Sequence, residues 1–122
     1  MARVTPYALL NLIVNVCTQS PIVAAYAVRT VDLDVLSLRV HLIDDSFIEV
    51  FYNDATSKTA FALIVNQQRI YGKDNAKIGW HVHPLASPLD HVPCNPVTFE
   101  EFLAEVELLH FSSSARKEDA SS

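Results

Sequence analysis

The residue types able to do chemistry gather in one short stretch, where His81, His83 and His91 stand close together in the chain. In an extended strand, residues two apart project to the same side, so His81 and His83 present two imidazoles side by side while Trp80 and Val82 face the other way. Such a pair suits either holding a metal ion or exchanging protons as acid and base. From Pro84 to Pro96 the chain also carries Pro88 and Pro93, which makes a stiff loop expected to bring Asp90, His91 and Cys94 back toward the same end of the sheet. Three histidines with Asp90 or Cys94 as a fourth donor meet the ligand chemistry of zinc or another divalent cation. A metal-free alternative uses the histidines as acid and base in nucleotide or RNA chemistry. A third is a rigid structural or partner-binding segment, because an H-x-H pair also arises by chance and no C-x-x-C or H-E-x-x-H accompanies it.

Charge is distributed unevenly around these histidines. Arg69, Lys73 and Lys77 precede them against a single acid, Asp74, whereas Glu100, Glu101, Glu105 and Glu107 follow without a base. The basic residues are either ordinary solvated loop positions or a phosphate-binding surface. The net charge of −5 argues against broad, non-specific nucleic-acid binding, which needs many phosphates neutralised at once. With two glycines in the chain there is no phosphate-cradling loop, which disfavours nucleoside triphosphate chemistry.

The elements that position the site follow from periodicity. Thr5 caps a first helix with Pro6 at its opening position, and Leu9, Leu10, Ile13, Val16 and Cys17 recur at helical spacing until Ser20-Pro21 ends it. Beyond that break the chain turns to strand patterns. Ile22 to Asp32 is rich in valine, tyrosine and threonine, and Val35 to Ile43 alternates Leu36, Leu38, Val40 and Leu42 with Ser37, Arg39 and His41. Phe61, Leu63 and Val65 alternate again within Lys58 to Asn66, and Arg69 to Gly72 forms a short strand after a polar turn at Asn66-Gln67-Gln68. Thr98 and Glu101 make a capping box for a C-terminal helix whose Phe99, Phe102, Leu103, Val106 and Leu109 share one face. The expected fold is α+β: an N-terminal helix, an antiparallel meander of about five to six strands, and a C-terminal helix packed on the sheet. Residues 1–111 form one domain, and the charged, serine-rich residues 112–122 are expected to be a disordered tail.

A three-residue turn at Asp44-Asp45-Ser46 pairs Leu42 with Ile48, Val40 with Val50 and Leu38 with Tyr52, keeping one face of the hairpin apolar. That register places His41 across from Glu49 and Arg39 across from Phe51. A histidine oriented by a carboxylate beside an arginine is a second acid–base candidate, or simply a cross-strand polar pair on a solvated face.

No apolar run approaches the length of a membrane span, no leader pattern precedes the first helix, and Cys17 and Cys94 give no disulfide framework, so a cytoplasmic location is expected. Open sheet edges allow a homodimer.

The order of helix, antiparallel strands, Asp74-Asn75-Ala76, a proline- and histidine-bearing loop and a Thr98-Phe99-Glu100-Glu101-Phe102-Leu103 helix start resembles the TumE-like toxins of toxin–antitoxin pairs, over roughly Pro21 to Leu109. The resemblance implies a cytoplasmic toxin held inactive by a helix-turn-helix antitoxin, and makes Asp74, Asn75, His81, His83 and His91 the matching positions. In many relatives the histidines follow the tripeptide more densely; here Lys77-Ile78-Gly79-Trp80 intervenes. On this resemblance the expected chemistry is RNA phosphodiester cleavage, with His81 and His83 as base and acid and Arg69, Lys73 or Lys77 as the cation for the developing charge.

Overall fold

The computed structural model describes residues 4–76, 79–87 and 89–121, those from 111 onward by backbone alone. Helix α1 (Pro6–Gln19) starts where the Thr5 hydroxyl accepts from the Ala8 amide at 3.1 Å, and it turns Ile13 and Cys17 inward. Seven antiparallel strands follow, β1 (Val23–Val31), β2 (Val35–Leu42), β3 (Phe47–Asn53), β4 (Lys58–Val65), β5 (Gln68–Asp74), β6 (His81–His83) and β7 (Val92–Pro93), before helix α2 (Phe99–Ser121). Each strand pairs with the next in sequence, giving one open meander sheet. The α+β architecture is the expected one. The strand count is higher than expected because β7, at two residues, is too short to leave an alternation in the sequence.

Alternation divides the sheet into two unlike faces. Leu36, Leu38, Val40, Leu42, Ile48, Val50, Phe61 and Leu63 are buried with Ile13 and Cys17 of α1 and Phe99, Phe102, Leu103 and Val106 of α2. The other face carries Arg39, Glu49, Phe51, Ala60, Ala62 and Gly72, which the pairing places in line across the strands. Burial pushes the Cys17 thiol up to about 11, which keeps it a protonated core residue at neutral pH.

The β2–β3 hairpin slides from its expected register. Leu38 pairs with Val50, Arg39 with Glu49, Val40 with Ile48 and His41 with Phe47, so the loop is Ile43-Asp44-Asp45 and the turn sits one residue earlier. Asp45 takes φ 70°, the left-handed conformation that a three-residue hairpin loop requires at its last position and that Asp adopts more readily than Ser. Asp44 completes the turn by accepting from the Ser46 amide at 3.1 Å and from the Ser46 hydroxyl. The slip is two residues in the pairing sum, so the apolar face is preserved while every cross-strand partner changes.

The β4–β5 turn is also tighter than expected. Asn66 and Gln67 both have positive φ, 50° and 66°, and Val65 pairs with Gln68, a two-residue loop of the twisted kind that suits hairpins. Strand β5 consequently begins at Gln68 and runs on to Asp74, which brings that carboxylate into the ladder.

The capping box of α2 forms on both sides. Thr98 Oγ1 accepts from the Glu101 amide at 3.1 Å, and Glu101 Oε1 accepts from the Thr98 amide at 3.0 Å; the Thr98 amide holds the Glu101 carboxyl below its ordinary range. Thr98→Ala should cost about 1 kcal/mol of stability, read as a lowered denaturant midpoint at unchanged slope. The backbone of α2 is helical through the segment expected as a tail, where Ala115, Arg116, Lys117 and Glu118 are strong helix formers. Among the described residues no helix is long and apolar enough to cross a membrane.

Candidate metal centre

Two strand ends and one returning loop assemble the site. Asp74, the last residue of β5, pairs with His81, and Gly72 pairs with His83. Strand period two therefore puts Asp74, His81 and His83 on the helix-free face, with Lys73 and Val82 on the other. One carboxylate serves both rings: Asp74 Oδ1 lies 3.1 Å from His81 Nε2, and Oδ2 lies 3.0 Å from His83 Nε2. The loop after β6 reverses through two turns, with the Ser87 amide donating to Pro84 O at 3.1 Å and the Asp90 amide to Ser87 O at 2.9 Å. Strand β7 then docks, with Val92 opposite Val82 and the Cys94 amide donating to Trp80 O at 3.1 Å. This delivers His91 onto the pair, with ring centroids 4.8 Å from His81 and 4.6 Å from His83; the first two rings are 5.0 Å apart.

The hydrogen bonding of the two buried rings is unequal. His81 has the Gly79 carbonyl 3.1 Å from Nδ1 and Asp74 at Nε2. Both partners are acceptors, so both ring nitrogens of His81 are engaged, and metal binding through this ring requires one of the two contacts to give way. Gly79 presents that carbonyl from φ 118°, a conformation open to glycine and strained for other residues. His83 is only 2% exposed, and its Nδ1 has no hydrogen-bond partner among the described residues. A buried polar atom left alone costs about 1–3 kcal/mol, so it points to a missing ligand.

One donor atom from each of His81, His83 and His91 lies within 4.8 Å of the others. Around a tetrahedral zinc the nitrogens stand about 3.3 Å apart, given zinc–nitrogen bonds near 2.0–2.1 Å. The exposed His91 is the ring able to close that gap. Asp74, bonded to the far nitrogen of His83, occupies the place of an outer-shell carboxylate that fixes ring orientation and raises ligand basicity. The expected fourth donors stand outside this cluster. The Asp90 amide serves the loop turn, and Cys94 follows Val92 onto the helix side of the sheet.

The other expected site residues divide sharply. Asn75 clamps the start of β4, its Oδ1 accepting from the Thr59 amide and its Nδ2 donating to Ser57 O, both at 2.8 Å. Lys73 lies on the helix face and bonds Glu105 at 2.7 Å, beside the Tyr71 hydroxyl that donates to the same carboxylate at 3.0 Å. Burial opposes its charge, yet the Glu105 hydrogen bond and neighbouring charges outweigh that and raise the Lys73 pKa. The ladder turns Lys73 away from the histidines. Lys77 and Pro88 lie outside the described residues. Arg69 belongs with the site face: its Cδ lies 3.4 Å from where a Gly72 Cβ would stand, and Gly72 is the cross-strand neighbour of His83.

The expected His41–Glu49 pair is not formed, because of the hairpin slip described above. Glu49 instead takes Arg39 at 2.9 Å and Arg29 at 4.0 Å, while His41 meets the Phe47 ring at 6.0 Å. His41 shares the histidine face but lies four strands away, about 19 Å at normal strand spacing. Half-exposed ion pairs of this kind are weak, so Glu49→Gln should change stability by less than about 1 kcal/mol in a denaturant titration.

Sequence reasoning also passed over the Gly79 carbonyl and Gly72, which have no side chain to attract notice. No family model, curated protein or solved structure matches this chain.

Proposed function

We propose that the protein is a metal-dependent hydrolytic enzyme binding one divalent ion, zinc by its donor chemistry, through His81, His83 and His91, with Asp74 as the outer-shell orienting group. The observation that carries this reading is the unpartnered Nδ1 of the buried His83. It is a lone pair held in place by a carboxylate on the opposite side of its ring and flanked by two further imidazoles. Three protein ligands leave a coordination position for water, and a bound zinc lowers the pKa of that water toward neutrality. Removing free metal after incubation with zinc should leave about one equivalent on the full chain by elemental analysis, lost in His83→Ala. Parent protein that retains no metal would overturn the reading.

A second reading follows the TumE-like resemblance: metal-free RNA cleavage by His81 and His83, with a helix-turn-helix antitoxin as partner. The shared Asp74 contact and the position of Arg69 favour it, while the engagement of Lys73 with Glu105 on the opposite face weighs against it. RNA cleavage undiminished by a chelator and abolished in the His81→Ala, His83→Ala double variant would select this reading over the first.

A further inference from the structure

The two edges of the open sheet are built differently. At one end β7 is two residues long and closes on Pro93, which has no amide to donate, so shortness and proline both blunt that edge. At the other end β1 runs for nine residues and is exposed at all but its two end positions. It contains no proline or lysine, and its single charge, Arg29, leans back across its own sheet to within 4.0 Å of Glu49. The pairing of β1 with β2 shifts between Val23 and Ala25 and again between Val28 and Thr30, and it is regular in between. Along that central stretch the outer row of backbone N–H and C=O groups has no strand beside it among the described residues.

The side chains of β1 are arranged symmetrically about Ala27. Val23, Tyr26, Val28 and Val31 stand opposite Leu42, Val40, Leu38 and Leu36, on the helix side of the sheet, whereas Ala25 and Ala27 stand opposite His41 and Arg39 on the other side. Tyr26 and Val28 are nevertheless 45% and 40% exposed, an apolar margin of the core face that the helices leave uncovered. The exposed Tyr7 of α1 joins this margin at its end, its hydroxyl donating to Val31 O at 3.4 Å. A second β1 laid antiparallel along the edge, with the two-fold axis at Ala27, sets Tyr26 against Val28 of the second copy twice over, Val23 against Val31, and Ala25 against Arg29. Each of these pairs falls on matching faces. The two arginines then stand about 14 Å apart, beyond strong repulsion in physiological salt. Moving the axis to Val28 brings them to about 7 Å, and moving it to Tyr26 sets Arg29 against Val23 of the opposite face. We propose that the protein forms a two-fold homodimer through β1, antiparallel about Ala27, so that one sheet runs through both copies. The dimer does not depend on the metal reading, because β6 lies five strand spacings from β1, about 24 Å.

Sedimentation equilibrium on the full chain tests this. The parent should associate to a dimer in the micromolar range, as suits a small interface made of one strand edge. Ala27→Lys and Ala27→Glu each place like charges across the axis at an exposed position, and each should raise the dissociation constant about tenfold or more. An equimolar mixture of the two should regain at least the parental strength, which also shows that both variants are folded. Tyr26→Ala should weaken the dimer about threefold or more, because the symmetry removes the Tyr26–Val28 pair twice. A parent that stays monomeric throughout overturns the proposal. A dimer that Ala27→Lys and Tyr26→Ala leave at parental strength does the same, since the contact then lies elsewhere on the chain. So does a mixture of the two charge variants that stays monomeric while their far-ultraviolet circular dichroism matches the parent.

Discussion

Replacing Asp74 with alanine is expected to weaken zinc binding by about ten- to a hundredfold, the usual cost of losing an outer-shell carboxylate. The same change should lower the stability of the metal-free protein by about 1–3 kcal/mol, because His81 and His83 are both buried and both lose their Nε2 partner. A competition titration against a chromogenic chelator reads the first effect and urea denaturation the second. Asp74→Asn separates charge from shape. Its amide can accept from one imidazole but turns an N–H₂ toward the other, so it should recover part of the stability and little of the metal affinity. Asp74→Ala with parental zinc affinity would remove the carboxylate from the site.

The largest effect on folding is expected at Phe102. It is fully buried, stacks with Tyr71 at 5.7 Å and meets the Phe61 ring tilted at 5.5 Å, joining α2 to β4 and β5. Phe102→Ala should cost about 3–5 kcal/mol, the transfer loss plus the cavity it leaves. A domain of this size has about 5–15 kcal/mol in total, so guanidinium unfolding should show the midpoint falling by about a fifth or more. Phe102→Leu keeps most of the volume and should cost well under half as much. The consequence reaches the site through Tyr71 and Lys73, which lie in β5 and bond Glu105 of the same helix. Loosening α2 therefore frees the strand whose end carries Asp74.

The parts of this fold that were legible in the sequence are those in which a pattern repeats. The α1 stripe, the β2 alternation and the α2 capping box each involve several residues pointing to one answer, and the structure has all three. Pairing register was less legible, because the choice between two even-numbered slips of the β2–β3 hairpin leaves the apolar face unchanged and is decided by a single left-handed residue, Asp45. That one turn separated His41 from Glu49. The H-x-H geometry was readable because it needs only strand period two. The arrival of His91 depended on a two-residue strand, β7, and on two loop turns with no periodicity at all. The role of Asp74 rested on the register of β5 against β4, which the tight Asn66-Gln67 turn and the irregularity between Leu63 and Ile64 set together.

X-ray absorption at the zinc edge of the metal-loaded protein tests the central claim most directly. The expected first shell has three imidazole nitrogens at about 2.0–2.1 Å completed by one oxygen donor, with the imidazole signature reduced in His83→Ala. A shell made of oxygen donors alone, one containing sulfur, or one unchanged by His83→Ala would contradict a metal centre built from His81, His83 and His91.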